Sequence, residues 1–459
     1  MEHVFIGKMS GLTHKVSIIG MGFVGLTTAA VFAKKGALVY GVDSDENKID
    51  IIRKGRAPFF EPKLDALVKR AVAQKRLVPT SSIAEAIDNS DLTFICVGTP
   101  MNSDGSVNLD YVARVSLQIG QVIKDSRKYH VFCVKSTVPP GTTGNVVTKN
   151  IEAGSNKQRS TDFGIAMTPE FLREGSAVED SLNPHIIVIG TGDKKVDSRV
   201  HSFFRNLYGP RTKILKTNIV TAELIKYSNN SFLATKISFI NTIANVCNKI
   251  PGADVDIIAG AIGTDPRIGS QFLSAGPGYG GSCFPKDVSG FIQFCKTLGL
   301  DPTLLEATDR VNKLQAQAVI DLVKHGLGPI SGKSITVLGT SFKKNTDDIR
   351  ESVSIRVIDK LLELGAIVRI HDPMAMDNTR TVFGNKIEYP ASLANALKNT
   401  DCVVLMTDWD DYRVITEKMI RKFTSKCAVI DTKRFLQVKE TADIKYLAIG
   451  KTKATLSSH

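Results

Sequence analysis

Two Rossmann-like, doubly wound α/β domains joined by a long central helix are what this sequence predicts, on three observations. An apolar run from Val16 closes on Gly20-Met-Gly22-Phe23-Val24-Gly25, passes into a helical stretch through Ala33, and is followed by a second apolar run ending at Asp43. From about Thr217 to Asn248 the chain has neither proline nor glycine, the pattern of one long helix. Beyond it, Ser334–Leu338, Ile367–His371, Cys402–Met406 and Ala428–Asp431 alternate with helical stretches, as in a second parallel sheet.

The chain of 459 residues is too long for one ordinary domain. The sequence divides into an N-terminal dinucleotide domain (1–215), a central helical region that holds a glycine-rich loop (216–330), and a C-terminal domain (331–459) for a different ligand. Residues 1–13 read as a short flexible extension. Val16–Ala33 lacks charge and superficially resembles a signal peptide or a membrane span, but its three glycines and its Ser and Thr residues suit a strand, a turn and a helix start. No membrane insertion is expected.

The seven cysteines include no Cys-x-x-Cys pair and no Cys/His ligand spacing. That pattern fits a reducing, cytoplasmic setting and argues against a disulfide framework and against bound metal. The net charge of +13 comes from scattered Lys and Arg without a basic tract, which argues against nucleic-acid binding and suits a solvated surface or attraction of phosphorylated ligands.

In the first domain Gly20 permits the turn, Gly22 admits a pyrophosphate, and Gly25 lets helix and strand pack closely, while Phe23 and Val24 open the helix. Asp43 stands where a carboxylate holds both ribose hydroxyls, which favours NAD over NADP; Lys48 tempers this by its charge. Two strand ends, Val97-Gly-Thr99 and Lys135-Ser-Thr137, place Thr99 and Thr137 either at the cofactor crevice or in ordinary turns. Lys226 and Asn230, four apart on an apolar helix, form either a functional pair or an exposed polar stripe.

Gly276-Pro-Gly-Tyr279-Gly280-Gly-Ser-Cys283-Phe284-Pro-Lys286-Asp287 holds four glycines around one thiol. Glycines let a backbone pass close to a bound molecule, and an ammonium beside a cysteine favours its thiolate. Lys343, Lys344, Arg350 and Arg434 fall near strand ends of the last domain, as anion partners or as surface charge.

With Lys135-Ser-Thr-Val-Pro, Pro169-Glu170-Phe171-Leu172-Arg173-Glu174-Gly175, Lys226 with Asn230, Gly280–Asp287 and Phe342-Lys343-Lys344 in hand, the chain resembles the UDP-glucose/GDP-mannose dehydrogenase family over nearly its whole length. The resemblance implies a four-electron oxidation of a UDP-sugar, in the first instance UDP-glucose to UDP-glucuronate, with NAD as cofactor. Alternatives are GDP-mannose, a UDP-N-acetylhexosamine, an ordinary one-step alcohol oxidation or a non-catalytic nucleotide-sugar binder. It also implies a homodimer or higher homo-oligomer built on the long helix. By motif, Cys283 is the nucleophile, Lys226 stabilises oxyanions, Asp287 and Glu170 position or activate water, and Thr137 and Asn230 hold that water and the reacting oxygens. Phe171, Leu172, Arg173, Glu174, Arg267, Phe272, Tyr279, Gly280, Phe284, Phe342, Lys343 and Arg434 resemble substrate contacts. Glu174, Lys286 and Arg350 resemble cofactor contacts, and Arg267 reaches for a partner subunit.

Overall fold

The computed structural model describes residues 14–452, so the expected N-terminal extension lies outside the described residues. The chain forms two compact units: one runs to Pro100 and resumes over Val107–Lys226, and the other comprises Met101–Ser106 and everything from Tyr227 onward.

The first unit is built on an eight-stranded sheet: β1 (Lys15–Ile19), β2 (Leu38–Val42), β3 (Leu77–Thr80), β4 (Leu92–Ile95), β5 (His130–Val134), β6 (Phe163–Met167), β7 (Ile187–Gly190) and β8 (Ile214–Thr217). Their spatial order is β3-β2-β1-β4-β5-β6-β7-β8. The first six are parallel, and the direction reverses between β6 and β7, which pair only at Met167 and Gly190. The order turns back between β1 and β4, and in such sheets ligands lie outside the strand carboxyl ends at that switch point. Alternate residues of β1 serve opposite faces: Val16 and Ile18 join Phe32, Phe94 and Phe203 on one side, while Ile19 joins Ile95, Phe132 and Phe163 on the other.

β1 enters the helix Phe23–Lys34 through the glycine turn. A Cβ on Gly25 would sit 1.8 Å from the Gly20 carbonyl oxygen, so this position accepts nothing larger than hydrogen without moving backbone. The charge-free stretch Val16–Ala33 is therefore a strand, a turn and a helix, and no described helix is long and apolar enough to cross a membrane.

The second unit carries a five-stranded, wholly parallel sheet: β9 (Ser334–Leu338), β10 (Ile367–His371), β11 (Cys402–Leu405), β12 (Cys427–Asp431) and β13 (Ile444–Ala448). Its order, β10-β9-β11-β12-β13, again has a switch point beside its first strand. The long helix spans Ile219–Cys247, and a second spans Thr303–Leu327. Residues of the central region, Ile240, Ala244, Val319 and Val323, share one apolar core with Val337, Ile370 and Ile430 of the C-terminal sheet. The fold is thus the α/β arrangement of two Rossmann-like sheets with a long helix between them in sequence.

β3, β7, β8 and β13 were not legible as strands. β3, β8 and β13 lie at sheet edges, where one flank is open and the apolar signal is diluted.

Gly25→Ala is expected to cost at least about 1–3 kcal/mol from overpacking and to weaken dinucleotide binding; thermal unfolding with and without NAD measures both.

Candidate active site

The dinucleotide turn fits its ligand by the chemistry of its donors. Gly22 is the N-cap of Phe23–Lys34, no side chain caps that end and no acid occupies its first turn. A Cβ added at Gly22 would meet nothing within 4 Å, so the helix amides face open space in which a diphosphate is stabilised. Asp43 closes β2 with one oxygen accepting the Met21 N–H at 2.8 Å and paired with Lys48 at 2.8 Å, and its other oxygen accepting the Asp45 N–H at 3.1 Å. Lys48 therefore does meet Asp43. Thr99 donates to the Thr137 carbonyl at 3.0 Å, which joins the two strand-end loops.

In the first unit, Lys226 and Glu170 form a buried ion pair at 2.9 Å, their side chains 4% and 6% exposed. The other Glu170 oxygen accepts the Leu172 N–H at 2.5 Å. Burial raises the Glu170 pKa, but the Lys226 charge, the Leu172 amide and Lys135 outweigh it and hold the carboxyl below its ordinary value. Phe171 lies 5.6 Å below the Lys226 ammonium. Lys135, ending β5, lines one cavity with Glu170, Thr168 and Phe171. Burial pushes its ammonium pKa down, and Lys226 adds to the depression while Glu170 opposes it. One turn before Lys226, fully buried Glu223 accepts the N–H groups of Gly141 and Thr143 at 2.6 and 2.7 Å, holding the segment that follows Thr137.

In the second unit, half-buried Cys283 is the N-cap of the helix Phe284–Thr297, with Pro285 in its first turn. A helix N-terminus favours a thiolate. Ser282 Oγ lies 3.5 Å from Cys283 Sγ. Asp287, 1% exposed, accepts the Asn230 side-chain N–H at 2.7 Å on one oxygen and pairs with Lys286 at 2.5 Å on the other. Acid, amide and ammonium thus form one short network in the first turn of the helix that Cys283 caps.

The glycine loop itself packs on the chain. A Cβ on Gly281, at φ +83°, would meet the Phe342 ring at 2.7 Å, and the Gly281 N–H donates to the Arg350 carbonyl at 2.9 Å. Tyr279 is fixed by Asn312, which accepts its N–H and donates to its carbonyl. At Gly281, then, close approach to the chain's own Phe342 requires glycine, where the sequence had pointed to a bound molecule.

The remaining charged candidates are engaged. Arg173 is bidentate to Asp180, Arg350 pairs with Asp348, and Arg267, 87% exposed, pairs with Asp265. Lys343 stands 5.6 Å over the Phe342 ring, Phe272 takes the left-handed φ of +65° near Phe284, and Glu174 is buried. Arg434 places its guanidinium on Asp256 at 2.8 Å and on the carbonyls of Ala275 and Ile449. Its neighbour Lys433 lies by Gly276, where an added Cβ would come within 3.5 Å of Nζ. Lys135 carried a signal, as a lysine ending an apolar strand. Glu223 carried a fainter one, as an acid on an apolar helix.

A doubly wound unit with this glycine turn and an acid just beyond its second strand defines a dinucleotide-binding protein. Comparison with known proteins goes further. Residues 14–208 match the NAD binding domain of the UDP-glucose/GDP-mannose dehydrogenase family, residues 220–314 its central domain and residues 336–438 its UDP binding domain. The chain belongs to that family. It is 38% identical to UDP-glucose 6-dehydrogenase YwqF of Bacillus subtilis, over 95% of this chain and 97% of the relative. It is 40% identical to UDP-glucose 6-dehydrogenase AglM of Haloferax volcanii, over 94% of this chain and 100% of the relative. A UDP-glucose dehydrogenase structure from Pyrobaculum islandicum superposes with a TM-score of 0.90 at 36% identity, covering 98% of this chain and 100% of that one.

Because the folded state keeps Glu170 ionised below its ordinary 4.5, its pair with Lys226 contributes fully above that value and is lost as pH falls through the lower folded pKa. Glu170→Gln is expected to flatten that acid limb and to cost about 3–5 kcal/mol at neutral pH, where Lys226 is left uncompensated. Thermal unfolding in a pH series checks both.

Proposed function

We propose that this chain oxidises the C6 alcohol of UDP-glucose to the carboxylate of UDP-glucuronate in two NAD-dependent steps through Cys283. NAD is the cofactor, and when bound it accepts one hydride in each step. Support for the substrate comes from the UDP binding domain match and the UDP-glucose dehydrogenases this chain resembles. The observation that carries the chemistry is the thiol at a helix N-cap, followed within one turn by a buried acid hydrogen-bonded to Asn230.

In this reading the alcohol loses a proton and a hydride to give the aldehyde. Cys283 Sγ then bonds to the aldehyde carbon, because an aldehyde releases a second hydride readily only after a nucleophile has added. Loss of that hydride leaves a thioester, and water cleaves its C–S bond to give the carboxylate and return the thiol. One alcohol, two NAD and one water thus yield one carboxylate and two NADH. Lys226, paired with Glu170, supplies a desolvated cation for developing oxyanions. Asp287 and Glu170, aided by Asn230 and Thr137, orient the hydrolytic water.

The reading extends to a homo-oligomer in a reducing cytoplasm. All seven cysteines are free thiols. Phe232, Phe239 and Val246, spaced by seven along the long helix, are 66%, 50% and 49% exposed, a stripe suited to a second copy of the chain.

Cys283→Ser is expected to retain UDP-glucose binding and to lose at least about a thousandfold in product formation. NADH absorbance and calorimetry measure the two, and wild-type enzyme should yield two NADH per sugar; a yield of one identifies an ordinary alcohol dehydrogenase. Phe232→Glu should shift the light-scattering mass toward that of a single chain.

A further inference from the structure

The structure assigns to Glu61 a positioning role in this same reaction, as the clamp on the loop that carries Glu170 and Glu174; the inference rests on the dehydrogenase reading above. Glu61 is 4% exposed and lies in an irregular stretch before the helix Leu64–Ala73. Neighbours Phe60 and Pro62 give no local reason for a buried acid. The reason is distant in sequence: one carboxylate oxygen accepts the Gly175 N–H at 2.6 Å and the other the Ala177 N–H at 2.7 Å. Bonds of this charge-assisted kind are short and directional.

The clamp is itself anchored. Phe59 packs on Phe23 of the dinucleotide turn with ring centroids 5.4 Å apart, and the Ala57 N–H donates to Asp65 at 2.6 Å. The clamped loop is held on its other side by Asp180, which takes the Arg173 amide at 3.0 Å and its guanidinium. Between these two holds stands buried Glu174, and four residues earlier stands Glu170 on Lys226. A single stretch thus touches the dinucleotide turn through an aromatic ring and the sugar-facing loop through an acid. Removing the acid strands one buried and one part-buried amide and frees the loop while leaving the turn in place.

The test uses full-length Glu61→Gln, which keeps the shape and sets an NH₂ against one of the two N–H donors. The expected result is a KM for UDP-glucose about tenfold higher, with the KM for NAD within about twofold and kcat within about threefold. In hydrogen–deuterium exchange without substrate, amides of 171–177 should exchange faster while those of β1 and β2 keep wild-type rates. Glu61→Asp, charged but too short for both contacts, should fall between, and it carries the same readouts if Glu61→Gln does not fold. An unchanged sugar KM, equal rises in both KM values, or unchanged exchange at 171–177 would overturn the assignment. Failure of wild-type protein to reduce NAD with UDP-glucose counts against the dehydrogenase reading alone, because the exchange comparison judges the clamp without substrate.

Discussion

The first unit depends on a lysine and a glutamate that have left water together. Neither Lys226 nor Glu170 keeps a solvent shell, so each makes the other's charge tolerable and fixes its position. Such a pair adds little net stability over apolar side chains of similar volume, yet losing one partner is costly. It therefore reads as a device for placement. One turn earlier on the same helix, Glu223 binds the backbone after Thr137. A single helical turn thus sets two loops that hold candidate catalytic groups.

The two sheets repeat a plan and diverge at the same point. In each, an acid follows the second strand of the switch point, Asp43 after β2 and Asp372 after β10. Asp43 keeps a modest set of partners at the turn. Asp372, 2% exposed, accepts the amides of Thr340, Ser341, Met374 and Ala375, the Ser341 hydroxyl and the Trp409 indole N–H. A carboxylate so saturated has nothing left for a ribose. In the second unit this acid thus ties strand-end loops of its own chain together, where Asp43 in the first keeps fewer partners.

The fold class was legible because its signals are local: apolar runs, a glycine turn in the right context and a long uninterrupted helix. Cys283, Asp287, Lys226, Asn230 and Glu170 could be named as candidates because each belongs to a short motif. Glu61 could not, since its purpose lies at Gly175 and Ala177 and nothing beside it in sequence requires an acid. Arg434 is a second case of a distant partner. Nothing beside it names Asp256, far away in sequence, which folding brings into contact with it. Local chemistry names the candidate groups; only the folded chain shows which groups hold them.

Thiol burial has a consequence for handling and labelling. Burial pushes the pKa values of Cys96 and Cys427 up to about 12 and raises those of Cys133, Cys247, Cys295 and Cys402 as well. Electrophiles such as maleimides and peroxides attack the ionised sulfur, so protonation disfavours reaction at these six, and burial also shields all of them but half-buried Cys295. Cys283, half-buried at a helix start, is left as the preferred point of attachment for a fluorophore or crosslinker, and as the first place where air oxidation during storage would register.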